Sequence, residues 1–160
     1  MNLNNVNKTE GEFHPPSKKI AIVASRFNEL VVEKLIAGAQ DILIRHGVSP
    51  NQIDLIRVPG AFEIPVVCLA TAKTNQYAGI ITLGAVIRGE TAHFDYVASA
   101  AANGVVQVQM QTGVPITFGV LTTQDTQQAL ARSGGTVGNK GAEAALALLE
   151  TINVLGKIHD

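Results

Sequence analysis

Within "VIRGETAHFDYV" (86–97) an arginine, two carboxylates, a threonine and a histidine follow directly on the apolar run "GIITLGAV" (79–86). Such a set can hold an anion and move a proton. Gly89-Glu90-Thr91 stands at a predicted helix start, where unpaired backbone N–H groups and the helix dipole favour phosphate, and Thr91 adds a hydroxyl. Helix capping explains "GET" nearly as well, so both readings stand. His93 is the candidate proton carrier, since an imidazole titrates near neutral pH. Its structural alternative is a helix-face histidine tied to Asp95 or to a carbonyl. His14, His46 and His159 lie in the N-terminal segment, near a helix end and beside the C-terminus, and are not rivals for that role.

The remaining candidates are dispersed. Arg132, closing "ALARSGG", can clamp an anion through its planar guanidinium or simply face the carbonyls of its own helix. Phe27 in "SRFNE" and Phe62 in "GAFE" offer flat faces for a heterocycle. Phe118 could do the same, although core packing is the ordinary fate of a phenylalanine inside an apolar strand. Glu63 can accept hydrogen bonds from hydroxyls or merely oppose a helix dipole as a first-turn acid.

The elements that must position these groups are legible in the hydrophobic pattern. Short apolar runs at 18–25, 53–58, 78–85 and 115–121 read as strands, each followed by a helical stretch: Glu29 to His46, 61–74, 92–112 and 124–132. A last helix is expected from Lys140 to Leu155. Asn28 is placed to cap the first helix and Gly47 to close it. Apolar strands alternating with helices predict a three-layer α/β/α sandwich around a parallel sheet of about four strands. In such a sheet the ligand crevice lies beyond the carboxyl ends of the strands. "SRFNE", "VPGAFEIP", "GAVIRGETAH" and "FGVLTTQD" all fall there. Polar groups crowd after Val86 because the chain leaves the sheet at its reactive rim.

Composition sets the limits. At 160 residues the chain suits one domain, 18–160, preceded by a polar, Asn-rich arm over 1–17, ending in Pro15-Pro16, that is expected to be either flexible or an extended edge segment. With 12 Lys and Arg against 13 Asp and Glu there is no electrostatic case for nucleic acid or an anionic membrane as partner. Hydrophobic residues reach 46% while charged ones stop at 16%, below the roughly 25% of ordinary soluble domains, which points to surface hidden between subunits. No apolar run is long enough to span a membrane, and residues 1–18 lack the apolar centre of a secretory signal, so a cytoplasmic protein is expected. The single cysteine, Cys68 in "VVCLATA", reads as a small buried hydrophobe. There is no Walker loop, no G-x-G-x-x-G after the first strand, no G-x-S-x-G elbow, and no metal-ligand spacing. No metal is expected.

Together, "SRFN", "VPGAFEIP", "LGAVIRGETAHFDYV", "FGVLTT" and "GNKGAEAA" (138–145) closely resemble the 6,7-dimethyl-8-ribityllumazine synthase family over about residues 19–156. The resemblance implies a flavodoxin-like fold and a transferase of riboflavin biosynthesis. It would condense 5-amino-6-(D-ribitylamino)uracil with 3,4-dihydroxy-2-butanone 4-phosphate, release phosphate and water, and need no cofactor. By the family pattern Phe27 would stack on the pyrimidine, Ala61, Phe62 and Glu63 would hold the ribityl chain, and Ala85, Val86 and Ile87 would present backbone to the ring. Glu90, Thr91 and Arg132 would bind phosphate, Glu90 through its backbone N–H, and His93 would transfer protons. Phe118 would line the ring pocket, and Lys140 would sit near the ring and ribityl chain. The family builds its site between subunits of a pentamer, with Phe118, Arg132 and Lys140 supplied across the interface. Some members join twelve pentamers into a hollow icosahedral shell of sixty subunits, with riboflavin synthase as a candidate enclosed partner. The uninterrupted turn between the last two helices favours the shell, whereas "GGTVGNKG" lacks the first lysine of the family's "GTKAGNKG" form. A protein that binds flavin or lumazine without turnover is the rival reading, opposed by the retained His93, Arg132 and Lys140.

Overall fold

The computed structural model describes residues 6–160. Four strands, β1 (Lys19–Ser25), β2 (Ile53–Val58), β3 (Tyr77–Ile87) and β4 (Ile116–Thr123), form one parallel sheet in the order β2-β1-β3-β4. Helices α1 (Glu29–Arg45) and α5 (Lys140–His159) cover one face, and α2 (Ile64–Lys73) and α3 (His93–Thr112) cover the other. The alternation along β1 shows why both layers are needed. Ile20, Ile22 and Ala24 join the core under α1 and α5, while Ala21 and Val23 join the core under α2 and α3. A strand buried on both sides must be apolar at successive positions, as "GIITLGAV" is.

Two glycines set how closely the helices within each layer meet. A Cβ on Gly141 would lie 2.1 Å from the Leu35 carbonyl oxygen, so α5 crosses α1 at a distance only glycine permits. A Cβ on Gly104 would lie 2.6 Å from the Pro65 ring, where α3 meets α2.

The expected architecture is present, with local corrections. The helix expected over 61–74 opens as a 3₁₀ turn at Ala61–Glu63 before α2, which has Pro65 in its first turn, where the missing N–H costs nothing. The helix expected from 92 begins at His93. Helix α4 is only Thr126–Ala131, and the glycine-rich "SGGTVGN" that follows forms a small antiparallel hairpin of β5 (Ser133–Gly135) and β6 (Gly138–Asn139). Gly134 within β5 and Gly138 at the start of β6 stand at φ 110 and 79, which a side chain would resist. Asn139 caps α5 by accepting from Ala142 N at 3.0 Å, while its amide donates to Lys34 O at 3.1 Å and ties the hairpin to α1.

Residues 1–5 of the N-terminal arm lie outside the described residues. From residue 6 to 16 the arm has neither helix nor strand and runs along α5: Lys157 Nζ donates to Glu10 O at 2.8 Å and Asn153 Nδ2 to His14 O at 3.1 Å. Phe13 packs near the His46 ring at the end of α1, centroids 6.0 Å apart. No helix among the described residues is long and apolar enough to cross a membrane.

Candidate active site

Beyond the carboxyl ends of β1, β2 and β3 lies an open groove of about 580 Å³. Phe27, Ala61, Phe62, Glu63, Ala85, Val86, Ile87, Thr91 and His93 all line it. The first wall is built where β1 stops. Arg26 N and Phe27 N donate to Val58 O and Pro59 O at 2.8 and 3.0 Å, which extends the β1–β2 pairing past the sheet. Asn28 then adopts a left-handed conformation, φ 62 and ψ 47, and its side-chain amide donates to Ala85 O at 2.7 Å. Asn28 thus holds the cap position of α1 without the expected side-chain cap, because its amide is used to bind the end of β3. The turn leaves Phe27 72% exposed at the groove, a poor use of a phenylalanine unless something flat covers it. Phe62, 61% exposed, stands in the same groove after β2. Glu63 Oε2 accepts from Gly60 N at 3.0 Å, which fixes the carboxylate at the groove and leaves acceptor capacity for a ligand hydroxyl.

The third wall is the segment after β3. Arg88 N donates to Thr123 O at 2.9 Å, continuing the ladder with β4 for one more residue. Gly89, Glu90, Thr91 and His93 are then all exposed. Helix α3 has Ala92 at its cap position, and the Thr91 hydroxyl just before it accepts a long hydrogen bond from His93 N at 3.4 Å. The capping explanation of "GET" therefore stands beside the anion-binding one, since Thr91 bonds the start of its own helix. Asp95, the structural partner considered for His93, is engaged by Arg88 instead, Nη2 to Oδ1 at 3.0 Å. The Glu90 side chain is exposed and does not line the groove.

A second hollow of about 340 Å³ opens at the β4 edge, lined by Thr122, Thr123, Arg132, Val137, Lys140 and Glu143 among others. Arg132 Nη1 donates to Gln128 O at 3.1 Å, so within the chain it does face its own helix carbonyls. Lys140 Nζ lies 3.6 Å from Glu143. Phe118 is half-buried against the core beneath α2 and α3 and lines neither hollow. One chain therefore gathers the aromatic, carboxylate and imidazole groups in one place and holds Arg132 and Lys140 in another; the hollows share no lining residue.

Several groove residues carried no notice in the sequence reading. Tyr96 and Val97 line it, one helical turn beyond His93, a spacing of three and four that could have revealed them. Cys68 is fully buried and burial pushes its thiol up to about 12, which leaves it inert. Among the described residues no three His, Cys, Asp or Glu gather as a metal site.

An open parallel sheet whose strand ends surround a groove with stacking rings, a carboxylate acceptor, an exposed helix start and an imidazole defines an α/β protein built to handle a small polar heterocycle. The 6,7-dimethyl-8-ribityllumazine synthase family model matches residues 17–156, and the chain belongs to that family. Proteins named 6,7-dimethyl-8-ribityllumazine synthase align with nearly its whole length. The one from Lawsonia intracellularis is 51% identical over 156 residues, covering 98% of this chain and 99% of its own. The Leuconostoc mesenteroides protein is 56% identical over 142 residues, 89% and 91% of the two chains. That from Nitratidesulfovibrio vulgaris is 48% identical over 153 residues, 96% and 98%.

Proposed function

We propose that the chain condenses 5-amino-6-(D-ribitylamino)uracil with 3,4-dihydroxy-2-butanone 4-phosphate to 6,7-dimethyl-8-ribityllumazine, releasing phosphate and water, as the transferase of riboflavin biosynthesis. The single observation that carries this reading is the groove itself, which joins an exposed Phe27, the Glu63 carboxylate, the start of α3 and His93. The pyrimidine stacks on Phe27 against the backbone of Ala85, Val86 and Ile87, and Ala61, Phe62 and Glu63 take the ribityl chain. Phosphate sits at Thr91 and the backbone N–H of Glu90. A carboxylate side chain would repel phosphate, and Glu90 is exposed and not among the residues lining the groove.

The chemistry needs no covalent enzyme intermediate. The substrate amine attacks the ketone, water leaves to form an imine, phosphate is eliminated, and the second nitrogen closes the ring with loss of water. The protein aligns the two reactants, which is worth about 7 to 11 kcal/mol, and His93 carries protons, worth about 10²- to 10⁴-fold. Arg132 and Lys140 complete the site from a neighbouring copy, with Phe118 lining its ring pocket. Their separation from the groove within one chain and the low charge content support a homo-oligomer with sites between subunits, a pentamer in a cytoplasmic enzyme. Twelve pentamers closing into a shell around riboflavin synthase is the larger assembly that fits the short α4–α5 connection.

Mixing both substrates with purified protein and following lumazine absorbance tests the activity. A protein that binds the lumazine but gives no protein-dependent increase in product would reverse the conclusion in favour of a binding protein; nothing observed favours that alternative. Analytical ultracentrifugation tests the assembly.

A further inference from the structure

Five exposed residues, 88 to 92, separate the end of β3 from the start of α3 at His93, and together with His93 they carry the groups assigned to phosphate and to proton transfer. Little of this loop packs on the body of the protein: a Cβ built on Gly89 would meet nothing within 4 Å. Its two ends, however, are joined. Arg88 is held to β4 through its backbone N–H, and its guanidinium lies over the Phe94 ring, 4.5 Å from the centroid, while Nη2 donates to Asp95 Oδ1 at 3.0 Å. Phe94 in turn packs against the core beneath α2 and α3. The guanidinium is thus a bridge from the sheet to the start of α3, made by one stacking and one ionic contact.

We propose that Arg88 is a positioning residue: its clasp on Phe94 and Asp95 fixes the 89–93 loop so that Thr91, the Glu90 N–H and His93 keep a common geometry toward the phosphorylated substrate. Arg88 does not bind the phosphate, because its guanidinium is occupied on the helix side of the loop and it does not line the groove. The assignment rests on the reading of that loop as the phosphate site. A flexible point charge would replace it poorly, since lysine offers no planar face to Phe94.

The test compares Arg88→Gln, Arg88→Lys, Asp95→Asn and the Arg88→Gln/Asp95→Asn double variant of the full chain. Substrate kinetics are read together with hydrogen exchange of the 89–93 amides. Loss of an exposed stacking contact and an exposed ion pair should raise KM for the butanone phosphate roughly 5- to 30-fold in Arg88→Gln. KM for the pyrimidine should stay within about twofold, the scatter expected of a surface change away from it. Asp95→Asn should move the same KM in the same direction by roughly 2- to 5-fold, Arg88→Lys should fall between wild type and Arg88→Gln, and the double variant should be no worse than Arg88→Gln because both residues act through one contact. Loop amides should exchange faster in every variant. An Asp95→Asn protein with unchanged or lowered KM for the phosphorylated substrate would mean that Arg88 acts on phosphate directly and would overturn the proposal. So would unchanged loop exchange in Arg88→Gln. The exchange measurement keeps its meaning even if wild-type protein shows no turnover, a result that would count against the reaction and not against the clasp.

Discussion

Replacing Phe27 with alanine separates a ligand-binding role from a structural one, because the folded chain has little use for that ring. At 72% exposure the side chain gives up little buried area when truncated, and surface changes of this kind stay within about 0.5 kcal/mol of neutral. Its neighbour Asn28 preserves the turn, since the Asn28 amide holds Ala85 O at 2.7 Å whatever residue precedes it. The loss should appear in binding. Stacking of a nucleic-acid base on an aromatic side chain is worth about 1 to 3 kcal/mol by alanine substitution, and a pyrimidine on Phe27 is the same type of contact, so KM for the pyrimidine substrate should rise about 5- to 150-fold. KM for the butanone phosphate should be nearly unchanged, because the proposed anion site belongs to the segment after β3 and not to the turn that holds Phe27. Steady-state formation of lumazine absorbance with each substrate varied in turn gives both constants, and circular dichroism melting gives stability. An unchanged pyrimidine KM would refute the stacking assignment. A large fall in melting temperature would show instead that Phe27 is structural.

Four further outcomes are expected. His93→Ala should slow turnover by about 10²- to 10⁴-fold without abolishing it, and unchanged turnover of the purified variant would remove the imidazole from the mechanism. Arg132→Gln should mainly raise KM for the phosphorylated substrate, measured against an unaltered KM for the pyrimidine. Gly141→Ala should destabilise the fold by about 1 to 3 kcal/mol or more in urea unfolding, since its Cβ would meet the Leu35 carbonyl oxygen at 2.1 Å. Cys68 should resist alkylation at pH 8 until the chain unfolds. Its thiol rises in the fold from 9.0 to about 12, so the stabilisation linked to the neutral thiol is complete below pH 9 and declines as pH climbs toward 12, which melting curves across that window would detect.

Much of the active groove was legible because each strand announces its end. A run buried on both faces must be apolar throughout, so the first polar residues after it mark the rim; "SRFN" after β1 and "RGETAH" after β3 are such marks, from which Phe27 and His93 follow, while the partly buried edge strand β2 carries Asp54 and Arg57 within it and is ended instead by the Pro59-Gly60 turn before Glu63. The β5–β6 hairpin was not legible, because a short glycine-rich stretch has no hydrophobic period to betray its pairing. Nor was the partner of Asn28: an asparagine before a helix reads as a cap, and only the nearness of Ala85, 57 residues away in sequence, diverts its amide.

The amino-acid order by itself determined the alternation of strands and helices, the rim on which the polar groups stand, and membership of the family, since all three rest on local period and on motifs of a few residues. What the tertiary structure decided is which of those rim groups meet. The sheet order β2-β1-β3-β4 sets the ends of β1, β2 and β3 side by side around one groove and sends β4 to the far edge, so Arg132 and Lys140, which follow β4, open onto a hollow of their own. Strand order depends on contacts between residues far apart in the chain, and no local pattern records it.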